Sequence, residues 1–73
     1  MVDLKKLRAR MYLAGYNQRT LTVACRDKGY KISENTMGAK FNGRSTITCD
    51  DADMFCDVLG IYDPAEKCEI FLA

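Results

Sequence analysis

Residues 32–43, with the sequence ISENTMGAKFNG, carry the start and stop signals of one short helix. Ser33 suits the N-cap position, where its hydroxyl accepts a hydrogen bond from a free backbone N–H, and Glu34 adds negative charge at the positive end of the helix dipole. Asn42 and Gly43 are typical of a helix end, because glycine adopts a left-handed conformation without steric cost. The pattern therefore predicts a helix over about residues 33–42.

The two faces of this helix differ in character. Met37 and Phe41 lie on one stripe and are expected in the core, with Lys40 at the wet edge of that stripe. The opposite face is short or hydrogen-bonding and consists of Glu34, Asn35, Gly38 and Ala39. Such a face can approach a partner closely, and the major groove of DNA admits a helix of this kind. A capped surface helix that merely covers a core fits the same periodicity.

Length and composition indicate one small domain over residues 1–73. A chain of 73 residues, 48% of them apolar, is near the lower limit for folding on its own core. No apolar run is long enough to span a bilayer, and the N-terminus lacks the apolar segment of a signal peptide. We therefore expect an intracellular, soluble protein without a membrane partner.

Two helices are predicted before residues 33–42. Leucine and methionine recur at spacings of three and four over residues 2–14, which is the signature of one buried helix face. The second helix is predicted over about residues 17–28, with Asn17 as its N-cap.

Two further helices are predicted after residue 43. Thr48 is a suitable N-cap for a fourth helix, and Gly60 is positioned to end it. Pro64 is well placed in the first turn of a short last helix. No segment alternates as a strand would, so the predicted fold class is all-α with five helices.

The formal charge is divided unevenly along the chain. Residues 1–44 hold ten Lys and Arg against three acidic residues, a balance of +7, whereas residues 45–73 hold one Lys against seven acidic residues, a balance of −6. A small DNA-binding protein needs one basic surface for phosphates and another that stays solvated or meets a partner. A chance division of charge between helices is the alternative.

The sequence offers little for metal binding or catalysis. It has no histidine, and its four cysteines, Cys25, Cys49, Cys56 and Cys68, form no C-x-x-C pair of the kind found in structural zinc sites. Three of them, Cys25, Cys56 and Cys68, fall on the apolar side of predicted helices and are expected to be buried as small hydrophobes, with a metal site or disulfide as the alternative.

The remaining chemical patterns also argue against an enzyme. There is no glycine-rich phosphate loop, and the aspartates of residues 50–57 lack the glycine and final glutamate of a calcium-binding EF-hand. We therefore expect no catalytic residue, cofactor, metal or small-molecule substrate.

The pattern S-x-x-T-x-G-x-x-F-N-G of residues 33–43 resembles the recognition helix and following turn of phage repressors of the λ and Cro-like helix-turn-helix family. The segment DVLGI, residues 57–61, resembles the end of the fourth helix in that family. The resemblance implies a five-helix, λ-repressor-like domain that binds double-stranded DNA sequence-specifically. It also implies a phage or prophage transcriptional regulator, acting as a repressor in the cytoplasm of a bacterial host cell, with no effector domain.

The resemblance is incomplete before residue 32. Gln18 matches a family glutamine that contacts a phosphate and braces the recognition helix, but it lies 25 positions before Gly43, several more than in the family. The extra residues fall within 26–31, where Gly29, Tyr30 and Lys31 read as a connecting loop. Either the second helix is longer or the loop bulges.

Base and phosphate contacts can be assigned from side-chain chemistry. Asn35 can pair bidentately with adenine, and Glu34 can accept a hydrogen bond from the cytosine amino group. Thr36 and Ala39 can touch a thymine methyl, while Lys40 and Arg44 are expected to meet phosphates or guanine. The complete predicted DNA-binding set is Gln18, Arg19, Ser33, Glu34, Asn35, Thr36, Ala39, Lys40, Asn42, Arg44 and Ser45.

The C-terminal residues Ile70, Phe71 and Leu72 are more apolar than one buried stripe requires. Because family members bind pseudo-palindromic sites as dimers, these residues are the predicted homodimer surface. A dock for another domain, or a cap on a small core, are the alternatives. The competing function is an antirepressor-type protein-interaction module on the same helical scaffold without DNA binding, which the long Gln18–Gly43 interval and Glu34 favour.

Overall fold

The computed structural model describes residues 1–72 and contains five helices in that range. They are α1 (Leu4–Leu13), α2 (Gln18–Asp27), α3 (Glu34–Phe41), α4 (Cys49–Leu59) and α5 (Pro64–Phe71). No strand occurs among these residues, so the all-α prediction is confirmed. None of the helices described is both long and apolar enough to cross a membrane.

The predicted helix ends are confirmed by their hydrogen bonds. Asn17, Ser33 and Thr48 each accept a hydrogen bond from the backbone N–H three residues later, at N···O distances of 2.9, 3.1 and 3.2 Å. These bonds satisfy N–H groups that have no partner inside the helix. Gly43 and Gly60 follow α3 and α4 with φ of +78° and +73°, which accounts for glycine at both positions.

All five helices contribute side chains to one hydrophobic core. The rings of Phe41 and Phe55 meet edge-on at its centre, with centroids 5.6 Å apart and planes at 74°. This edge-to-face arrangement is one of the two that aromatic quadrupoles favour. The buried members are Leu7, Met11, Leu21, Cys25, Ile32, Met37, Phe41, Met54, Phe55, Cys56, Leu59, Ile61 and Ile70.

The cysteines divide between core and surface. Cys25 and Cys56 are buried as predicted, and burial is the main cause that raises the pKa of the Cys25 thiol to about 11. The prediction for Cys68 is wrong, because this thiol is exposed. Ile70 is the buried residue of α5, and Cys68, two positions earlier, lies about 200° away around the helix.

The predicted homodimer surface at residues 70–72 is corrected in part. Ile70 is 3% exposed and belongs to the core, while its carbonyl accepts a hydrogen bond from the Asp3 backbone N–H at 2.7 Å. Phe71 is half-buried and Leu72 is exposed. So small a domain uses its last helix to complete its core, which removes Ile70 from the surface.

The connection between α2 and α3 is a loop, and α2 is not extended into it. Gly29 has φ of +96°, and Ile32 is buried. The Tyr30 hydroxyl donates to Asp57 Oδ2 at 2.9 Å, and Lys28 Nζ lies 3.1 Å from Asp57 Oδ1. These two partners hold the pKa of Asp57 below its ordinary value. The extra residues therefore form a loop anchored to α4.

Candidate nucleic-acid interface

The first turn of α2 packs over the middle of α3 at a residue without a side chain. A Cβ placed on Gly38 would lie 3.4 Å from Gln18 Oε1. This distance is at the lower edge of ordinary van der Waals contact, so a larger residue would push the Gln18 side chain aside. Glycine at position 38 therefore leaves room for the end of the Gln18 side chain over the middle of α3.

A surface groove of about 550 Å³ opens beside this contact. It lies between the end of α1, the first turns of α2 and α3, and the loop that follows α3. The residues predicted for DNA binding that line it are Gln18, Arg19, Glu34, Asn35 and Arg44. The fold therefore brings together residues that are distant in sequence.

Three residues outside the predicted set also line the groove, and one of them is Gly38. Asn17 borders it while capping α2, and Tyr12 enters from the end of α1 with 60% of its surface exposed. In the sequence, Tyr12 could be recognised as a surface residue because it lies outside the buried stripe of Leu7 and Met11 on α1. That stripe leaves Tyr12 on an outer face, but sequence spacing alone does not indicate which neighbour it approaches.

The groove has a positive balance of charge. Arg19 and Arg44 are exposed, and neither forms an ion pair or a side-chain hydrogen bond with any residue in 1–72. Glu34 is the one acidic side chain among the groove residues. The first turn of α2 adds partial positive charge through its free N–H groups. The site can attract an anion while offering the Asn35 amide as both donor and acceptor.

Two predicted residues at the start of α3 lie outside the groove. The Ser33 hydroxyl accepts from the Thr36 backbone N–H and donates to Thr36 Oγ1 at 2.9 Å. Ser33 borders a separate groove with Arg26 and Lys31, whereas Thr36 borders the side facing α4. Their hydroxyls are thus engaged in capping α3.

Three predicted residues at the end of α3 are also outside it. The Ala39 carbonyl accepts hydrogen bonds from the backbone N–H groups of Arg44 and Ser45, at 2.9 and 3.2 Å. Asn42 is exposed at the C-cap, and Ser45 is half-buried. Ala39 therefore orders the loop that carries Arg44 to the groove.

The structure corrects the role of Lys40. This residue is 8% exposed, its Nζ lies 2.6 Å from Asp51 Oδ2, and it donates to the Thr46 carbonyl at 3.1 Å. Lys40 was expected at the solvent-exposed edge of the apolar stripe of α3, where it would contact phosphates or guanine, but α4 covers that edge. A lysine stem packs on apolar surface, and a buried ammonium then requires a carboxylate.

The Lys40 contact also affects Asp51. Burial acts to raise the pKa of the Asp51 carboxyl, but the Lys40 ammonium and the hydrogen bonds from Thr48 outweigh it, so the pKa is lowered. Thr48 N–H donates to Asp51 Oδ2 at 2.9 Å while the Thr48 hydroxyl caps α4. The Asp51 carboxylate at the start of α4 therefore links Lys40 of α3 to Thr48 at the end of the loop that follows α3.

Internal contacts reduce the basic charge that is free to meet an anion. Arg8 donates to the Phe41 carbonyl at 3.1 Å, and Arg10 Nε lies 3.2 Å from Glu66 Oε2. Lys28 and Lys40 are paired with aspartates. The basic residues of 1–44 that form no ion pair or side-chain hydrogen bond within residues 1–72 are Lys5, Lys6, Arg19, Arg26, Lys31 and Arg44. Most of these lie in or next to α2 and α3.

Comparison with known proteins found no family model, no curated protein and no solved structure that matches the chain. The features that indicate a function are the lining residues of the groove, its charge and the resemblance of residues 33–43 to a recognition helix and the turn that follows it.

Proposed function

We propose that the chain binds double-stranded DNA sequence-specifically and regulates transcription by occupying an operator, as a phage or prophage repressor of the λ and Cro-like type. In this proposal α2 and α3 form the helix-turn-helix, and α3 is the recognition helix. The regulator acts in the cytoplasm of the bacterial host.

The observation that carries the proposal is the convergence of Gln18, Arg19, Asn35 and Arg44 on one groove. Guanidinium groups bind phosphate oxygens bidentately, and the first turn of a helix presents N–H groups to an anion. Phosphate contacts of this kind fix the orientation of a protein on the duplex. Arg19 and the first turn of α2 would hold one stretch of backbone, with Arg44 holding another.

Base reading falls to the exposed start of α3. Asn35 matches the donor and acceptor pattern of adenine, and Glu34 matches the cytosine amino group. Because Gly38 has no side chain, the middle of α3 can approach base edges closely. The N-terminal residues of recognition helices make such contacts in helix-turn-helix proteins.

The proposal is tested by fluorescence anisotropy of the full chain on a labelled random duplex across a salt series. We expect affinity to fall linearly with salt on logarithmic axes, with a slope of about −0.9 for each phosphate neutralised. Selection of a preferred sequence from a random pool follows. Failure of the folded chain, checked by circular dichroism, to bind at low salt would overturn the proposal.

A protein-interaction module is the second candidate. Glu34 lies in the groove, where its carboxylate opposes phosphate, and Lys40 is withdrawn into an ion pair with Asp51. The Glu34 carboxylate and the Lys40–Asp51 ion pair both reduce the positive electrostatic potential that residues 1–44 would otherwise present. Under this alternative the groove accepts a protein surface with its own donors and acceptors.

The substitution Glu34→Gln separates the two candidates. Removing a carboxylate from a DNA-facing groove is expected to raise affinity for random DNA by roughly 2- to 5-fold at low salt, because like-charge repulsion is lost. Preference for cytosine at the contacted position should weaken as well. Asp53→Asn, which removes an exposed carboxylate from α4, is the control and should change affinity less. Equal effects of both substitutions would show that Glu34 does not lie near the bound DNA.

Gly38→Ala is expected to separate stability from binding. Alanine should stabilise α3 by up to about 1 kcal/mol, because glycine is a poor helix former. The new methyl group makes an ordinary contact with Gln18 Oε1, so the fold should accept it, but it adds bulk to the lining of the groove, and DNA affinity should fall. Thermal unfolding and anisotropy measure the two effects. A stabilised variant with unchanged affinity would show that DNA binding does not need the bare surface at position 38.

A further inference from the structure

A second groove, the loop groove, has a volume of about 380 Å³ and is lined by Arg26, Gly29, Tyr30, Lys31, Ile32 and Ser33. Arg26 and Lys31 are exposed, and neither forms an ion pair or a side-chain hydrogen bond with any residue in 1–72. The lining residues include no acidic side chain, whereas the groove of Arg19 and Arg44 contains Glu34. The loop groove therefore offers two free cations to an anion.

The loop groove lies where the chain departs from the λ and Cro-like pattern. The extra positions before the recognition helix fall within residues 26–31, so the resemblance assigns no role to Arg26 or Lys31. The loop is held on both sides of Lys31, because the Tyr30 hydroxyl donates to α4 and Ile32 is buried. A backbone that is already fixed loses less entropy when its side chains bind an anion. The extra residues thus hold the backbone of a lysine in place beside Arg26.

Arg19 and Arg26 lie at the two ends of one face of α2. They are seven positions apart, which is close to two helical turns, so their side chains leave the helix in nearly the same direction. This spacing separates them by about 10 Å along the helix axis. The start of α3 borders both grooves, since Ser33 lines the loop groove while Glu34 and Asn35 line the other. Cations therefore flank the proposed base-reading residues on both sides.

We propose that the loop groove binds one phosphodiester of duplex DNA, on the strand across the major groove from the strand that Arg19 contacts. This inference rests on the DNA-binding function proposed above. A helix end that enters the major groove has a phosphate backbone on each side, about 12 Å apart. The separation of about 10 Å between Arg19 and Arg26 is comparable to that width. The outer face of α2 then spans the groove, with one arginine at each strand.

The surface beyond Lys31 limits the contact to a single phosphate. Lys31 also lines a third groove, which contains Asp50 and Asp53. Both aspartates are exposed and form no ion pair within residues 1–72, so they repel the next phosphate along the strand. Arg26 and Lys31 therefore share one phosphate, to which the guanidinium donates paired hydrogen bonds and the ammonium adds a point charge.

The salt dependence of binding tests whether the phosphate is shared. In fluorescence anisotropy on a random duplex, the Arg26→Ala, Lys31→Ala double variant should lose roughly tenfold in affinity at ~0.05 M salt. Its slope of log affinity against log salt should become about 0.9 units shallower, the value for one phosphate. Each single variant keeps one cation at that phosphate, so it should lose affinity but keep most of the slope.

Uncharged backbone replacements locate the contact on the duplex. A methylphosphonate group removes the charge of one phosphate, and it can be scanned along both strands of the duplex selected from the random pool. At one position the replacement should weaken wild-type binding roughly tenfold but weaken the Arg26→Ala, Lys31→Ala variant less than about twofold. The position at which Arg19→Ala becomes insensitive should lie on the other strand.

The matched control, Lys5→Ala with Lys67→Ala, removes two exposed cations that lie outside the loop groove and should change the slope much less. Circular dichroism should show the same helix content and melting temperature in every variant. A wild-type slope in the Arg26→Ala, Lys31→Ala variant, a loss of two units, or insensitive positions on one strand would each overturn the inference and leave the proposed function standing. A folded wild-type chain that does not bind duplex DNA at low salt would overturn both.

Discussion

Replacing Arg19 and Arg44 together with alanine is expected to weaken binding to duplex DNA on the order of 100-fold at ~0.05 M salt. Each neutralised phosphate releases counterions, which contributes roughly tenfold in affinity at that salt concentration. Both guanidinium groups are exposed, and neither has an ion-pair partner within residues 1–72. Their loss should therefore remove DNA contacts without removing internal ones.

Fluorescence anisotropy on a random duplex across a salt series distinguishes direct phosphate contacts from a general effect of the protein's net charge. The slope of log affinity against log salt should become about two units shallower in the double variant. Each single variant should lose about one unit. Thermal unfolding should be nearly unchanged, since substitutions at exposed sites without structural partners usually alter stability by less than about 0.5 kcal/mol.

The matched control removes two positive charges elsewhere. Lys5 and Lys67 are exposed, lie outside the groove of Arg19 and Arg44, and form no ion pair within residues 1–72. The Lys5→Ala, Lys67→Ala double variant should lose much less affinity than the arginine variant. Equal losses in the two proteins would mean that DNA responds only to net charge, which would contradict a defined interface in this groove.

The helix framework could be predicted from sequence because its signals are local. Asn17, Ser33 and Thr48 each need only a backbone N–H three residues away, so their roles depend on little else. The left-handed glycines at the ends of α3 and α4 are equally local. These signals predicted α2, α3 and α4, while the spacing of leucine and methionine predicted α1 and Pro64 predicted the start of α5.

The fate of long or terminal side chains could not be predicted in the same way. Lys40 lies one turn after Met37, and whether its ammonium reaches water depends on Asp51 from another helix. Cys68 and Ile70 are both apolar, but the packing of α5 on α1 decides which of them is buried. Periodicity in a helix of eight residues leaves that choice open.

The candidate site was predictable in part for the same reason. Gln18, Glu34 and Asn35 lie in the first turns of helices whose starts were correctly identified, so their convergence followed from packing α2 on α3. Tyr12 lies at the end of α1, and its approach to the groove depends on how α1 crosses the other helices. The tertiary arrangement alone supplies that information.

Lys40→Met is expected to lower the free energy of unfolding by about 2–3 kcal/mol and the melting temperature by about 10–15 °C. Methionine fills a similar volume, so the loss is electrostatic and leaves little cavity. Asp51 is left without its ammonium partner, and the Thr46 carbonyl without its donor. Asp51 keeps the Thr48 N–H and is 18% exposed, which places the loss below the largest values for buried pairs.

The loss should depend on pH in a defined direction. The pKa of Asp51 is below its ordinary value of 3.8 in the folded protein. Its charged form therefore stabilises the fold above that ordinary value, and this stabilisation disappears as pH falls through the lowered folded value. The difference between wild type and Lys40→Met should be complete at neutral pH and should shrink in acid below about pH 4.

Chemical unfolding followed by circular dichroism measures these differences, with Lys31→Met as the matched control at an exposed lysine. That control should stay within about 0.5 kcal/mol of wild type. Combining Lys40→Met with Asp51→Asn should cost less than the sum of the single changes, since replacing both partners leaves no unpaired buried charge. At a temperature where both proteins are folded, Lys40→Met should keep the wild-type salt slope for DNA. If the slope of log affinity against log salt became one unit shallower while stability stayed unchanged, Lys40 would be a DNA contact. That result would contradict its role as the link between α3 and α4.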